Sequence, residues 1–252
     1  MVQGDLFWDG VPEIKAAVRI RNSVIRGSIA PREEGARLII HGPLDLSGTI
    51  VEGRLDLSRT AFLAPVDLTD TVLMHEAFFI QSRFAKPVSF ERTAFGTHTR
   101  FHKAVFAEPV TFLRAGFNGL GEFLEVSFEK DASFSRAYFK LGTGFSGSHF
   151  AGLADFSEAV FDREAFFLFT VFDREASFRR VTFRNVADFS DARFIGGEDF
   201  SKVMFDQTPQ FARTQMSGKV PAGGLQDARV LYVIAAALAG FTLILIFVLR
   251  KG

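Results

Sequence analysis

Residues 154–178 read ADFSEAVFDREAFFLFTVFDREASF, with phenylalanine at 156, 161, 167, 172 and 178. The steps are five, six, five and six. A helix repeats its apolar face at three and four residues and a half-buried strand at two, so neither element sets this period. Followed outward, the same steps cover most of the chain. One column recurs every eleven residues from Leu46 through Leu57, Leu68 and Phe79 to Phe211. A second column lies five residues later, from Val51 through Phe62, Leu73 and Phe84 to Met216. Every position in both is large and apolar. Of the 32 Phe, all but Phe7, Phe78, Phe166, Phe169, Phe241 and Phe247 fall in these columns. A fixed internal period decides the architecture before any local pattern is read.

The other phases of the unit are as regular. Small or β-branched residues stand two before the first column, as at Val66, Ala77, Ala154 and Ala176, and two before the second, as at Thr49, Thr71, Ser82 and Ala159. Large and small side chains two apart point the same way along a strand. Serine follows the first column at 47, 58, 135, 146, 157, 190 and 201. Pro43, Pro65, Pro87 and Pro109 share one phase twenty-two residues apart, so two units make one geometrical turn.

The segments ADFSEAVF (154–161), ADFSDARF (187–194) and LDLSRTAF (55–62) resemble pentapeptide repeats. The unit of that family is a small residue, Asp or Asn, a central Leu or Phe, Ser or Thr, and a variable polar residue. The resemblance covers residues 44–216 and is closest to the Phe-rich branch; the departures are a sixth residue in alternate units and the preference for Phe over Leu. It implies an all-β, right-handed, four-sided parallel β-helix with the central and small residues inward. The physics agrees, because no single coil can bury its large residues and stacked coils can. Phe suits such a core, having no polar atom to satisfy. About eight coils are expected, with residues 1–22 as an N-terminal cap, 23–216 as the β-helix and 217–228 as a linker.

Residues 230–249, VLYVIAAALAGFTLILIFVL, contain twenty residues without a charge or a proline. That is about the length an α-helix needs to cross a hydrocarbon core of roughly 30 Å. The expectation is one C-terminal transmembrane α-helix over 229–250, with membrane lipid as its partner. Ala235 with Ala239, and Ala236 with Gly240, set small residues one helical turn apart, a pattern for helix association. The first residues carry acids and no apolar core of signal-peptide length. The β-helix is therefore expected in the cytoplasm on a single-pass, tail-anchored protein.

Chemistry is hard to find. The formal net charge is zero, which argues against a nucleic-acid partner. There is no Cys, excluding disulfides, thiolate metal sites and cysteine catalysis. His41, His75, His98, His102 and His149 all fall in different phases, so no two form a ladder. Asp45, Asp56, Asp67, Glu122, Asp155, Asp188 and Asp199 share one phase, and a column of bases lies nearby; these read as a mutually compensating, solvated surface. No P-loop, GxSxG, HExxH or Rossmann fingerprint occurs. No catalytic, cofactor or metal residue is assigned, and a non-enzyme is expected.

One outward column is uncharged throughout: Ile50, Val72, Ala94, Gly116, Tyr138, Val160, Thr182 and Met204. It is the candidate interaction stripe, for an unknown protein partner or for a second copy in a homo-oligomer. The functional expectation is a membrane-anchored scaffold for protein interaction. The alternative is a DNA-mimicking topoisomerase-binding protein, as the resemblance implies for some members of the family. A third reading is a subunit of an oligomeric membrane channel.

Overall fold

A computed structural model describes residues 1–6, 12–31 and 35–217. The chain there is a stack of strands two or three residues long, joined by turns into coils. Each coil has four sides. Face 1 runs from Val18–Arg19 to Glu198–Asp199, face 2 from Val24–Ile25 to Met204–Phe205, and face 4 from Glu13–Ile14 to Arg193–Phe194, with nine strands each. Face 3 has seven strands, from Leu55–Asp56 to Ala187–Asp188, and is extended by the bridges Ile29–Leu55 and Asp188–Gln210. Every pairing is parallel, and from the second coil on partners lie twenty-two residues apart, as in Phe84 with Phe106 and Phe139 with Phe161. Nine coils at about 4.8 Å make a rod of roughly 40 Å.

The sequence spacing implies about eight coils. The further one is built by residues 13–25, where Val18 pairs with Leu44 and Val24 with Ile50. These strands contain no Phe, so the aromatic period does not reach them. Residues 1–22, expected as a cap, supply part of this first coil and the bridges Val2–Ile25 and Leu6–Ile29.

The two apolar columns fill the interior. From Phe79 to Phe189 every Phe of either column is completely buried. Along each face the rings stack flat on one another. Phe62 and Phe84 lie 4.7 Å apart at 2°, and Phe156 and Phe178 lie 5.0 Å apart at 4°. Across the rod the ladders of faces 1 and 3 meet edge to face, as Phe167 meets Phe178 at 5.4 Å and 86°. Offset stacks and edge-to-face pairs are the two favourable arrangements of aromatic rings. Burying one such side chain contributes roughly 1.5–3 kcal/mol.

Two corners of each coil turn through the left-handed region. Arg59, Arg92, Arg114, Arg136, Arg180 and Arg213 stand there with φ between 54 and 58°. A side chain with a Cβ costs about 1–2 kcal/mol in that conformation. Several of these residues gain a partner at the same corner one coil away: Arg92 donates to Asp70 at 2.6 Å, Arg136 to Glu158 at 2.9 Å and Arg213 to Asp191 at 2.6 Å.

The membrane expectation is corrected here. The described residues contain strands and turns throughout, and no helix among them is long and apolar enough to cross a membrane. Their backbone donors and acceptors are used between coils, and the fold is an all-β, four-faced solenoid. Residues 229–250, with Ala235, Ala236, Ala239 and Gly240, lie outside the described residues. No described element contains that apolar run. The transmembrane helix, the lipid partner, the tail-anchored cytoplasmic placement and the channel subunit therefore drop out of the account.

Candidate interaction faces

The acids before the first column have a structural task that their charge conceals. The Oδ1 atoms of Asp45, Asp56, Asp67, Asp155, Asp188 and Asp199 each accept the backbone N–H two residues on, at 2.8–3.1 Å. This is the side-chain-to-backbone turn that Asp and Asn favour. It explains the ADFS signature: small residue inward, Asp closing the turn, Phe inward, Ser supplying the capped N–H. Where Asp is absent, the hydroxyls of Ser89, Thr111 and Ser133 accept the equivalent bond at 3.1–3.3 Å. In sequence these acids suggest a compensated surface; in the fold most of them are turn-closing groups.

The small phase before the second column is also used. The hydroxyls of Thr49, Thr71, Ser82, Thr93 and Thr170 donate inside the rod to a main-chain carbonyl of the preceding coil, at 2.6–2.9 Å. Thr143, an inward residue on face 3, differs: its buried Oγ1 has no partner.

Charge on the outside is largely locally balanced. The Arg213 guanidinium, hydrogen-bonded to Asp191, holds that carboxyl below its ordinary range, as Arg136 does for Glu158. Burial pushes the Asp45 carboxyl up, but hydrogen bonds from Arg21 and Ser47 outweigh it and leave Asp45 low. Glu198 departs from the pattern. It occupies an inward position in the last coil, is 8% exposed, and burial raises its pKa against hydrogen bonds from Ser217.

The histidines do not meet. His41 faces Glu13 at 3.3 Å, His98 faces Glu122 at 3.0 Å and His149 faces Asp173 at 2.7 Å. Among the described residues no three His, Asp or Glu side chains gather as a metal site would require.

Concavities among the described residues include one on face 1 and one on face 3. A shallow groove of about 610 Å³ runs along face 1, floored by Val66, Val88 and Val110 and edged by the proline ladder Pro65, Pro87 and Pro109. A second, of about 520 Å³, lies on face 3 beside Arg54, Arg59, Phe78 and Arg100. There the Phe78 ring sits between two guanidinium groups, Arg54 at 5.8 Å and Arg100 at 5.6 Å. Phe78 was visible in the sequence only as an aromatic off both columns.

The candidate stripe forms one ladder on face 2. Ile50, Val72, Ala94, Gly116, Tyr138, Val160, Thr182 and Met204 pair in unbroken register. All are at least partly exposed, with Ile50, Val72 and Met204 the most open. The Tyr138 hydroxyl donates to Asp162, one coil further on.

Comparison with known proteins agrees with this geometry. A family model described as pentapeptide repeats (9 copies) matches residues 169–215. No curated protein matches the chain. The same registers continue from that segment back through the whole stack, and the fold is a pentapeptide-repeat β-solenoid.

Proposed function

We propose that this solenoid is a non-enzymatic rod that binds another protein along its outward ladders. The observation that supports it is the face-2 ladder. Eight successive coils present an uncharged outward residue there, in register and partly exposed, on a surface otherwise dense with ion pairs. Partly apolar, uncharged surface of this kind marks protein contact. The test is the double substitution Tyr138→Lys and Val160→Glu. Both side chains point outward, so the thermal unfolding of the rod is expected to be little changed. Association, with itself in light scattering or with a partner in a pull-down, is expected to fall. An unaltered set of associations would sink the proposal.

Mimicry of duplex DNA toward a topoisomerase is the second reading, and the rod shape suits it better than it suits a membrane-anchored scaffold. Face 1 favours it, because from Asp67 to Asp199 its outward strand positions carry acids or hydroxyls and no base. Charge density weighs on the other side. Removing Lys219, Arg229, Arg250, Lys251 and Asp227 from the balanced 29 and 29 leaves 25 bases and 28 acids over residues 1–217. Duplex DNA carries one charge per about 1.7 Å, hence roughly 24 over the same length. A supercoiling assay with gyrase separates the readings: inhibition that survives the face-2 double substitution supports mimicry, and its absence at excess rod removes it.

A further inference from the structure

The face-2 ladder sinks near the middle of the rod. Val72 is 38% exposed, and the next two coils carry only Ala94 and Gly116 before Tyr138 restores the height. A methyl group built on Gly116 would meet nothing within 4 Å beyond its chain neighbours, and Gly116 does not turn through the left-handed region. The space above it is open. The rim toward face 3 is low at the same level. Gly96 lies there against the Met74 backbone, where a Cβ would come within 2.4 Å of the carbonyl oxygen. Met74 itself, one coil earlier, is 51% exposed. The Tyr138 hydroxyl donates to Asp162, one coil further on, so its ring leans away from Gly116. The result is a shallow saddle over Ala94 and Gly116, with Val72 and Met74 at one end and Tyr138 at the other.

The charges beside this saddle depart from the rest of the rod. A residue with a Cβ at a left-handed corner costs conformational energy, and most charged residues at such corners gain an ion pair there. Arg92 is held by Asp70 and Glu91, Lys103 by Glu125, Arg136 by Glu158 and Arg213 by Asp191. Arg114 and Lys202 have neither an ion pair nor a side-chain hydrogen bond among the described residues. Arg114 stands on the saddle's rim, two residues before Gly116, and is exposed. Its neighbours in the corner column turn from it, Arg92 back to Asp70 and Arg136 on to Glu158. On the opposite rim Lys140, two residues after Tyr138, is also exposed and has no ion pair among the described residues. The carboxylates at these levels, Asp70, Glu91, Glu158 and Asp162, are already engaged by Arg92, Arg136 and Arg184.

An uncharged floor between two cations that lack a counter-charge selects its occupant by charge complementarity. A second copy offers no carboxylate from its own face-2 ladder, which is uncharged throughout. We infer that the saddle docks a segment of a partner protein in which an aliphatic side chain is flanked by Asp or Glu. The aliphatic group lies over Ala94 and Gly116, between Val72 and the Tyr138 ring. The flanking carboxylates reach Arg114 on one rim and Lys140 on the other. The inference rests on the proposed function, which it narrows to one stretch of the ladder and one partner chemistry.

The probe is a random-peptide phage library panned on the immobilised full chain, with counter-selection on the Gly116→Val variant. Valine suits a strand and its Cβ enters open space, so the fold is expected to hold, as thermal unfolding of each variant will show. Enriched peptides are expected to share an aliphatic residue flanked by acids. Their affinity is expected to fall about tenfold or more on Gly116→Val, which fills the saddle, and on Arg114→Asn, which removes the charge while tolerating the left-handed corner. Lys202→Asn, at the other unpaired corner cation near the end of the rod, should leave it unchanged. Enrichment that does not depend on Gly116 and Arg114, enriched peptides without acids, or no enrichment at all overturns the inference. So does sedimentation showing a dimer of the unaltered chain that Gly116→Val dissolves, since the occupant would then be a second copy. Should the double substitution Tyr138→Lys and Val160→Glu lower association while Gly116→Val and Arg114→Asn leave it intact, this inference alone fails and the ladder binds elsewhere along its length. Should none of them change association, the proposed function falls with it.

Discussion

Single residues in this rod are tied to one of two environments, and Thr143 shows what happens when the tie is missing. Its side chain points inward between Gly121 and Ala165, and its hydroxyl is the buried side-chain polar atom without a partner among the described residues. The neighbouring inward hydroxyls of Ser148 and Thr170 each donate to a carbonyl one coil back. An unsatisfied buried hydroxyl costs about 1–3 kcal/mol. Thr143→Val keeps the β-branched shape, and is expected to raise rod stability by ~1 kcal/mol in denaturant unfolding; a loss of that size would show that the hydroxyl is bonded after all. The inward register of Phe and its small partners was legible from spacing alone. The unpaired state of Thr143 was not, because it depends on which carbonyl lies within reach in the coil before. Phe166 and Phe169 were likewise visible as departures from the columns, but their alignment with Gly144 and Gly147 exists only once the coils are stacked.

At the scale of one coil, the terminal turn is the most exposed to pH. Glu198 takes the inward position that Ala154 and Ala176 hold in the two preceding coils. Burial raises its pKa above the ordinary 4.5, so the folded state favours the neutral acid. Above that raised pKa its charge weakens the last coil, and the weakening fades as pH falls through it. Asp191, in the same turn of chain, has the opposite sign: held low by Arg213, it contributes stability above its ordinary 3.8 that is lost on further acidification. Hydrogen exchange at Arg193–Phe205, corrected for intrinsic pH dependence, should therefore first slow and then quicken as pH falls from neutral. Glu198→Gln should abolish the first phase and leave the second; survival of the first phase would mean that another group causes it. In a middle coil the same position is apolar and the ring stack is complete. Phe178→Ala there removes a fully buried ring stacked on Phe156 and Phe200, and should cost roughly 3–5 kcal/mol in thermal unfolding. The columns announce that sensitivity. They give no hint of Glu198, which departs from the small phase without breaking the Phe period.

Over the whole molecule, one register separates what holds the rod together from what it can show to a partner. The inward set is nearly uniform, so it encodes length and little else. The outward set varies from coil to coil, and the face-2 ladder is a pattern in that variation. The period made the four-sided stack legible from residue 44 onward, and it failed at the first coil because Val18, Val24 and Ile14 carry no aromatic signal. It also could not show that the Asp column closes turns, since acids capping a backbone N–H and acids facing solvent look alike in sequence. Every functional inference rests on inside and outside alternating as described, and the segment Ala165–Thr170 tests this at adjacent residues. Hydroxyl-radical footprinting of the full chain, read by fragment mass spectrometry, should oxidise Phe166 and Phe169 and leave Phe167, buried between them in sequence, unmodified. Oxidation of Phe167 at a rate comparable with Phe166 would contradict the register and with it the assignment of both faces.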